Sequence, residues 1–92
     1  MIGGFRHRGL KRFYESGETR RLPSEDIGKI RRIMNRLDAS ATPQDMEAPG
    51  FHLHQLKGEL RGFWSVTVRA NWRIIFRFEN GEAQDVDLID YH

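Results

Sequence analysis

The chain has 92 residues, enough for one domain spanning 1–92, and its 38% hydrophobic and 30% charged content excludes a disordered chain. It has no cysteine, which rules out disulfides, thiolate metal sites and a cysteine nucleophile. No apolar run reaches signal-peptide or membrane-spanning length, so no membrane partner is expected and the cytoplasm is the default location. The net charge of +2 is unevenly spread: Met1–Arg36 carries ten Lys and Arg against four Asp and Glu, whereas Ile74–His92 carries one against five. Twelve of the fifteen cations are arginine, the residue that grips phosphate bidentately and stacks on bases, which suits a nucleic-acid partner as well as it suits a solvated helix face.

Helical signals fill the first half. His7–Ser16 places Leu10, Phe13 and Tyr14 on one stripe, and Gly17 is placed to stop the helix. Pro23-Ser24 offers a second start, with Glu25 and Asp26 in the first turn, where carboxylates suit the helix dipole. Ile27, Ile30, Ile33, Met34 and Leu37 then recur at helical spacing, with Arg31, Arg32 and Arg36 off the stripe. Pro43, Pro49 and Gly50 make Ser40–Gly50 a loop, with room for one short turn of helix at Gln44–Glu47.

Strand signals fill the second half. Phe51–Leu56 reads as a short mixed strand and Lys57–Gly62 as a connection. In Phe63–Arg69, Trp64, Val66 and Val68 alternate with Ser65, Thr67 and Arg69. Ala70-Asn71 is a tight turn into a strand that sets Trp72, Ile74, Phe76 and Phe78 against Arg73, Ile75 and Arg77. Asn80-Gly81 is a two-residue hairpin signal, and a last strand runs through Val86 and Leu88 to His92. The expected fold is α+β, two helices packed on a mostly antiparallel sheet. Its uncovered face would show Thr67, Arg69, Arg73 and Arg77, either as the solvated side of the sheet or as a basic bed for RNA.

Two polar groups stand out. Asp90-Tyr91-His92 comes directly after an apolar strand and combines an orienting charge, a phenol and an imidazole titrating near neutrality. His52-Leu53-His54 lies on the short strand, where alternation would put both imidazoles on one face. RNA carries its own nucleophile, the 2′-hydroxyl. Cutting it requires a base, an acid for the departing 5′-oxygen, and cations to steady the phosphorane charge. The same side chains allow a rival use, a His-x-His metal site completed by Asp90 and His92, although only Glu59 lies near His52 and His54 in sequence to extend it. No dinucleotide, phosphate-loop, metalloprotease or serine-hydrolase motif appears, so no cofactor is expected. The segment Gly17–Pro23 is too long for the turn of a helix-turn-helix.

The order of these residues resembles the HigB toxins, the plasmid-maintenance killer branch of the RelE superfamily. The resemblance runs over nearly the whole chain. It includes Ile2 to Leu10, Leu53-His54 with Leu56-Lys57-Gly58, the stretch Gly62 to Ile74, and the closing Asp90-Tyr91-His92. It implies a microbial-RNase-like fold and a ribosome-dependent endonuclease that cuts mRNA in the decoding site. It also implies a HigA-like helix-turn-helix antitoxin, through which alone the toxin would reach operator DNA. The implied catalytic set falls on His54, Asp90, Tyr91 and His92, and Lys57, Arg69 and Arg73 match the basic surface. Asn71, at the turn between two of these strands, is a further candidate for contact with a base. Two alternatives stay open at this point: an RNA- or ribosome-binding inhibitor that does not cut, and a metal-dependent or ribosome-independent nuclease.

Overall fold

A computed structural model describes residues 1–91. Two helices, α1 (Arg8–Ser16) and α2 (Ile27–Ala39), pack on a four-stranded antiparallel meander of β1 (His54–Gln55), β2 (Trp64–Arg69), β3 (Trp72–Glu79) and β4 (Glu82–Asp90), in that spatial order. The expected α+β architecture is therefore present.

Helix α1 begins one residue later than its pattern indicates because His7 acts as its cap. The imidazole Nδ1 of His7 accepts the Leu10 N–H at 3.0 Å, replacing the hydroxyl or carboxylate usual at that position. The helix ends at Gly17, whose left-handed backbone (φ 76°) lets its N–H reach the Phe13 carbonyl at 2.9 Å. The Ser24–Asp26 segment forms a 3-10 turn leading into α2. After α2, Asp45 accepts the Ala41 and Thr42 N–H groups and fixes the Pro43–Met46 turn, which drives Met46 fully into the core.

Leu10 of α1, Ile30, Ile33 and Leu37 of α2, and Val66, Ile74, Phe76 and Val86 of the sheet are all completely buried in one cluster. A contiguous core of this kind supplies most of the stability of so small a domain. The Asn80-Gly81 turn has positive φ at both residues, 53° and 78°, the type I′ geometry whose twist matches the flanking strands. In the Ala70-Asn71 turn the left-handed residue is Ala70, at φ 51°.

Three features depart from the sequence pattern. The N-terminal segment lies parallel to β4 through isolated bridges Ile2–Ala83 and Phe5–Val86, with Gly3 N–H donating to the Ala83 carbonyl at 2.8 Å. The sheet's second face is not wholly polar. Leu56, Phe63 and Ile75 are buried there as a separate small cluster beside Leu60 and Ile89, so the Lys57–Gly62 connection folds over part of it. Finally, two irregularities interrupt the pairing, between Thr67 and Arg69 on β2 and opposite Ile75–Arg77 of β3, where Asp85 takes φ 52°.

Candidate active site

On the second face, beyond the small apolar cluster, lies a cavity of about 190 Å³ lined by His54, Gln55, Leu56, Lys57, Ser65, Arg73 and Tyr91. Four of the expected site residues meet there: His54 from β1, Lys57 from the connection between β1 and β2, Arg73 from β3, and Tyr91 just past β4. The meander explains the meeting. β1 pairs with β2 so that His54 stands opposite Ser65, and β3 lies on the other side of β2. The chain after β4 is held at the Ala70-Asn71 turn by the Tyr91 N–H, which donates to the Asn71 carbonyl at 2.8 Å.

Among the described residues the lining contains two permanent cations and an imidazole but no carboxylate, so the cavity favours an anion. Arg73 is its centre. The guanidinium lies 5.7 Å from the Tyr91 ring centroid, and its Nη1 is 3.5 Å from Ser65 Oγ and 3.4 Å from Thr67 Oγ1. Arg73 Nε is buried and has no hydrogen-bond partner among the described residues, which is a cost to the fold at this position. His54 is exposed, and its Nδ1 lies 3.1 Å from the His52 carbonyl oxygen.

The remaining site residues fall elsewhere. Arg69 does not join Arg73. Strict alternation would put it on the Thr67 side, but the irregularity at Thr67–Arg69 turns it toward the helices. There its Nε donates to Asp26 Oδ1 at 2.9 Å and its Nη2 to Glu25 Oε1 at 3.0 Å. Arg77 is also occupied, with Nε 2.7 Å from Asp85 Oδ2 and Nη1 2.9 Å from Glu79 Oε1. The hydrogen bond from Arg77 holds the Asp85 carboxyl below its ordinary range. The broad basic bed expected from alternation thus contracts to the Lys57–Arg73 region.

Asp90 ends β4 opposite Trp72, and it is not among the residues lining the cavity. His92 lies outside the described residues. His52 and His54 do not share a strand face, because His52 leaves the strand with φ 51°. Among the described residues, no three His, Asp or Glu side chains come together as metal ligands. Sequence reasoning passed over Gln55 and Ser65. Ser65 carried a usable signal, since alternation puts it on the face of Thr67, whereas the short β1 gave none for Gln55.

A larger groove of about 340 Å³ lies between α1 and α2, lined by Phe13, Tyr14, Arg31 and Asp38 among others. It holds no imidazole among the described residues, and its Tyr14 hydroxyl already donates to Asp38 Oδ1 at 2.7 Å. Of these two, the smaller cavity is the one with an imidazole among its described lining residues. Among the described residues no helix is long and apolar enough to cross a membrane.

Comparison with known proteins adds to this geometry. Residues 3–92 match the family model described as the RelE-like toxin of the type II toxin–antitoxin system HigB. Endoribonuclease HigB of Proteus vulgaris is 41% identical over 92 residues, covering all of both chains. Toxin HigB-1 of Vibrio cholerae serotype O1 is 33% identical over 86 residues, or 91% of this chain and 90% of that protein.

Proposed function

The chain belongs to the HigB-like family of RelE-like type II toxins, and from that premise we propose that it is an endoribonuclease that cuts mRNA in the decoding site of the ribosome. Membership in a type II system implies an antitoxin partner. We take that partner to be a helix-turn-helix protein encoded beside the toxin, and the site of action to be the cytoplasm, where ribosomes are.

The observation that carries the reading is the cavity on the second face, whose lining has no carboxylate among the described residues. It sets His54, Lys57 and Tyr91 around an Arg73 whose buried Nε lacks an acceptor among the described residues. A scissile phosphate supplies acceptors for the Arg73 and Lys57 cations that line the cavity. In the reaction the 2′-hydroxyl loses its proton to an imidazole, and the 2′-oxygen bonds to phosphorus. The phosphorus–5′-oxygen bond then breaks as the 5′-oxygen takes a proton from an acid. The products are a 2′,3′-cyclic phosphate and a 5′-hydroxyl. His54 and His92 share the two proton transfers, Arg73 and Lys57 stabilise the phosphorane, and Asp90 orients an imidazole. Every group in this scheme is a side chain, so we read the active site as working without a metal ion.

The ribosome enters through entropy. A small cavity on a 92-residue protein offers little surface to hold a flexible strand in line, and a message already fixed in the decoding site arrives ordered. The experiment uses toxin stripped of its antitoxin, programmed ribosomes, and primer extension to map cuts. Cuts at the decoding site that disappear when ribosomes are omitted are expected. Equal cutting of free mRNA overturns the ribosome requirement, and stalled translation without any cut overturns the nuclease reading. Metal analysis of the active protein should show no stoichiometric tightly held ion; one ion per chain, lost in His54→Ala, overturns metal independence.

A further inference from the structure

His52 has no place in the proton-transfer scheme, yet it holds a conformation that a residue with a side chain rarely adopts, φ 51°. The chain on either side of it is pinned to β2. The Phe51 carbonyl accepts the Thr67 N–H at 2.7 Å, and His54 pairs with Ser65. From Phe51 to His54 the chain takes three steps, whereas Thr67 to Ser65 takes two, so one extra residue bulges out at His52–Leu53. Bulges of this kind re-aim a neighbouring group. What this one aims is the His52 carbonyl, which faces His54 Nδ1 at 3.1 Å.

We propose that His52 is a positioning residue whose backbone carbonyl fixes the His54 imidazole as the Nδ1–H tautomer, leaving Nε2 bare as the base that takes the 2′-hydroxyl proton. A carbonyl oxygen has only lone pairs, so a hydrogen bond to it requires that Nδ1 carry the proton. In a neutral imidazole the other nitrogen is then the acceptor, and His54 is a lining residue of the cavity assigned to the phosphate in the proposed function. The assignment rests on the acid–base reading of this site and sharpens it. With His54 as base, the 5′-oxygen takes its proton from elsewhere, and His92 is left for that role. The His52 imidazole has no part in this. The requirement is a carbonyl delivered by a left-handed residue, which glycine meets and a β-branched residue does not.

Nitrogen-15 NMR of the ring nitrogens, assigned by comparison with His54→Gln, reads the tautomer directly in the full chain. The Nδ1–H form is expected for His54 in the native protein and in His52→Gly. In His52→Val, whose side chain opposes the bulge, a shift toward the Nε2–H form is expected. Single-turnover cutting on programmed ribosomes should stay within about threefold of native for His52→Gly and fall roughly tenfold or more for His52→Val, the worth of one hydrogen bond to a reacting group. Should His52→Val fail to fold, the native spectrum and His52→Gly still decide the question. An Nε2–H tautomer in the native protein, or a His52→Gly loss as deep as that of His54→Gln, overturns the proposal. The two readings fail separately. If the tautomer is as expected but His54→Gln cuts like the native protein, the catalytic role of His54 falls and the carbonyl contact stands.

Discussion

The Arg73 guanidinium faces the Tyr91 ring, 5.7 Å from its centroid, tying β3 to the residue just past β4. The contact orients the cation that the cavity depends on, since the ring restrains a guanidinium whose Nε has no hydrogen-bond partner among the described residues. Removing Arg73 should therefore act on the transition state. Arg73→Ala is expected to lower the single-turnover rate by roughly 10²–10³-fold, the range for loss of a preorganised donor at developing charge. Arg73→Lys should recover only part of this, because an ammonium has neither the planar face nor the forked donors. Tyr91→Phe keeps the ring over Arg73 and so should lose less than Tyr91→Ala. Equal losses for the two Tyr91 variants would mean that the hydroxyl, not the ring, is what Tyr91 contributes.

Arg69 should behave in the opposite way. Asp26 is nearly buried, 4% exposed, and its charge is met by Arg69 across the junction between β2 and the start of α2. Taking Arg69 away leaves a buried carboxylate uncompensated. Because Arg69 itself is about half exposed, solvent screens the pair and the cost stays well below that of breaking a fully buried ion pair. Arg69→Ala should melt lower by on the order of 5–15 °C, yet cut at a near-native rate per folded molecule. A normal melt with a large loss of cutting would return Arg69 to the RNA-binding surface.

The contrast between these two arginines shows what the sequence could and could not reveal. Regular features were legible. The apolar stripe of α2, the Asn80-Gly81 hairpin and the alternation Trp64-Val66-Val68 each arise from a single local period, and each is present. Arg73 followed from that alternation as well. Arg69 did not, because one irregularity in pairing moves a side chain to the other face, and no residue near Val68 announces it. The same holds for His52, where a left-handed histidine replaces the glycine that would have signalled the bulge. The apolar cluster under Leu56 and Phe63 was hidden because its members come from a connection and two strands, with no common period. The segments holding His54 and Tyr91 stood out by their residue types, but that these two side chains meet depends on strand order, which neither segment encodes by itself.

Acid should weaken the N-terminal helix through His7. Burial lowers the pKa of its imidazole below the ordinary 6.5, outweighing the opposing pull of Asp87, and the Leu10 N–H cap requires Nδ1 unprotonated. With the folded-state pKa depressed, the unfolded chain binds the proton more readily. The His7 contribution to stability is then fully present above about pH 6.5 and is lost as pH falls through the folded-state value. Asn caps a helix without titrating. Thermal melts of the native protein should drop more between pH 7 and pH 5 than those of His7→Asn, and parallel curves would remove His7 as the source of the acid sensitivity.

We expect Asn71 to contact a base rather than to serve its turn alone. The left-handed backbone of its turn belongs to Ala70, so the conformational tolerance of asparagine is not what the turn demands. Its carbonyl holds the Tyr91 N–H, which puts the residue beside the chain segment that lines the cavity. A bidentate amide–adenine pair is worth roughly 1–3 kcal/mol of discrimination. Asn71→Ala should therefore reduce cutting at A-containing codons about tenfold more than at codons lacking A. Equal losses at both would confine Asn71 to its backbone role.

Removal of His92 is the sharpest test of the proton-transfer scheme. If His54 takes the 2′-hydroxyl proton, the 5′-oxygen still needs an acid, and of the other imidazoles His7 is engaged as a helix cap while His52 contributes only its carbonyl. A positioned acid is worth roughly 10²–10⁴-fold in rate, and deleting His92 should cost about that much. Stability should change little, because β4 stays paired to β3 through Asp90 opposite Trp72, and Tyr91 stays held by the Asn71 carbonyl. Deleting Tyr91 as well should lower the rate further and also lower the melting temperature, since the ring over Arg73 and the hydrogen bond to Asn71 are lost together. Single-turnover cutting on programmed ribosomes, with thermal melts alongside, separates these effects. A protein lacking His92 that melts normally and cuts within a few-fold of native would take His92 out of the mechanism. The proton for the 5′-oxygen would then have to come from the Tyr91 hydroxyl or from water ordered by Lys57 and Arg73.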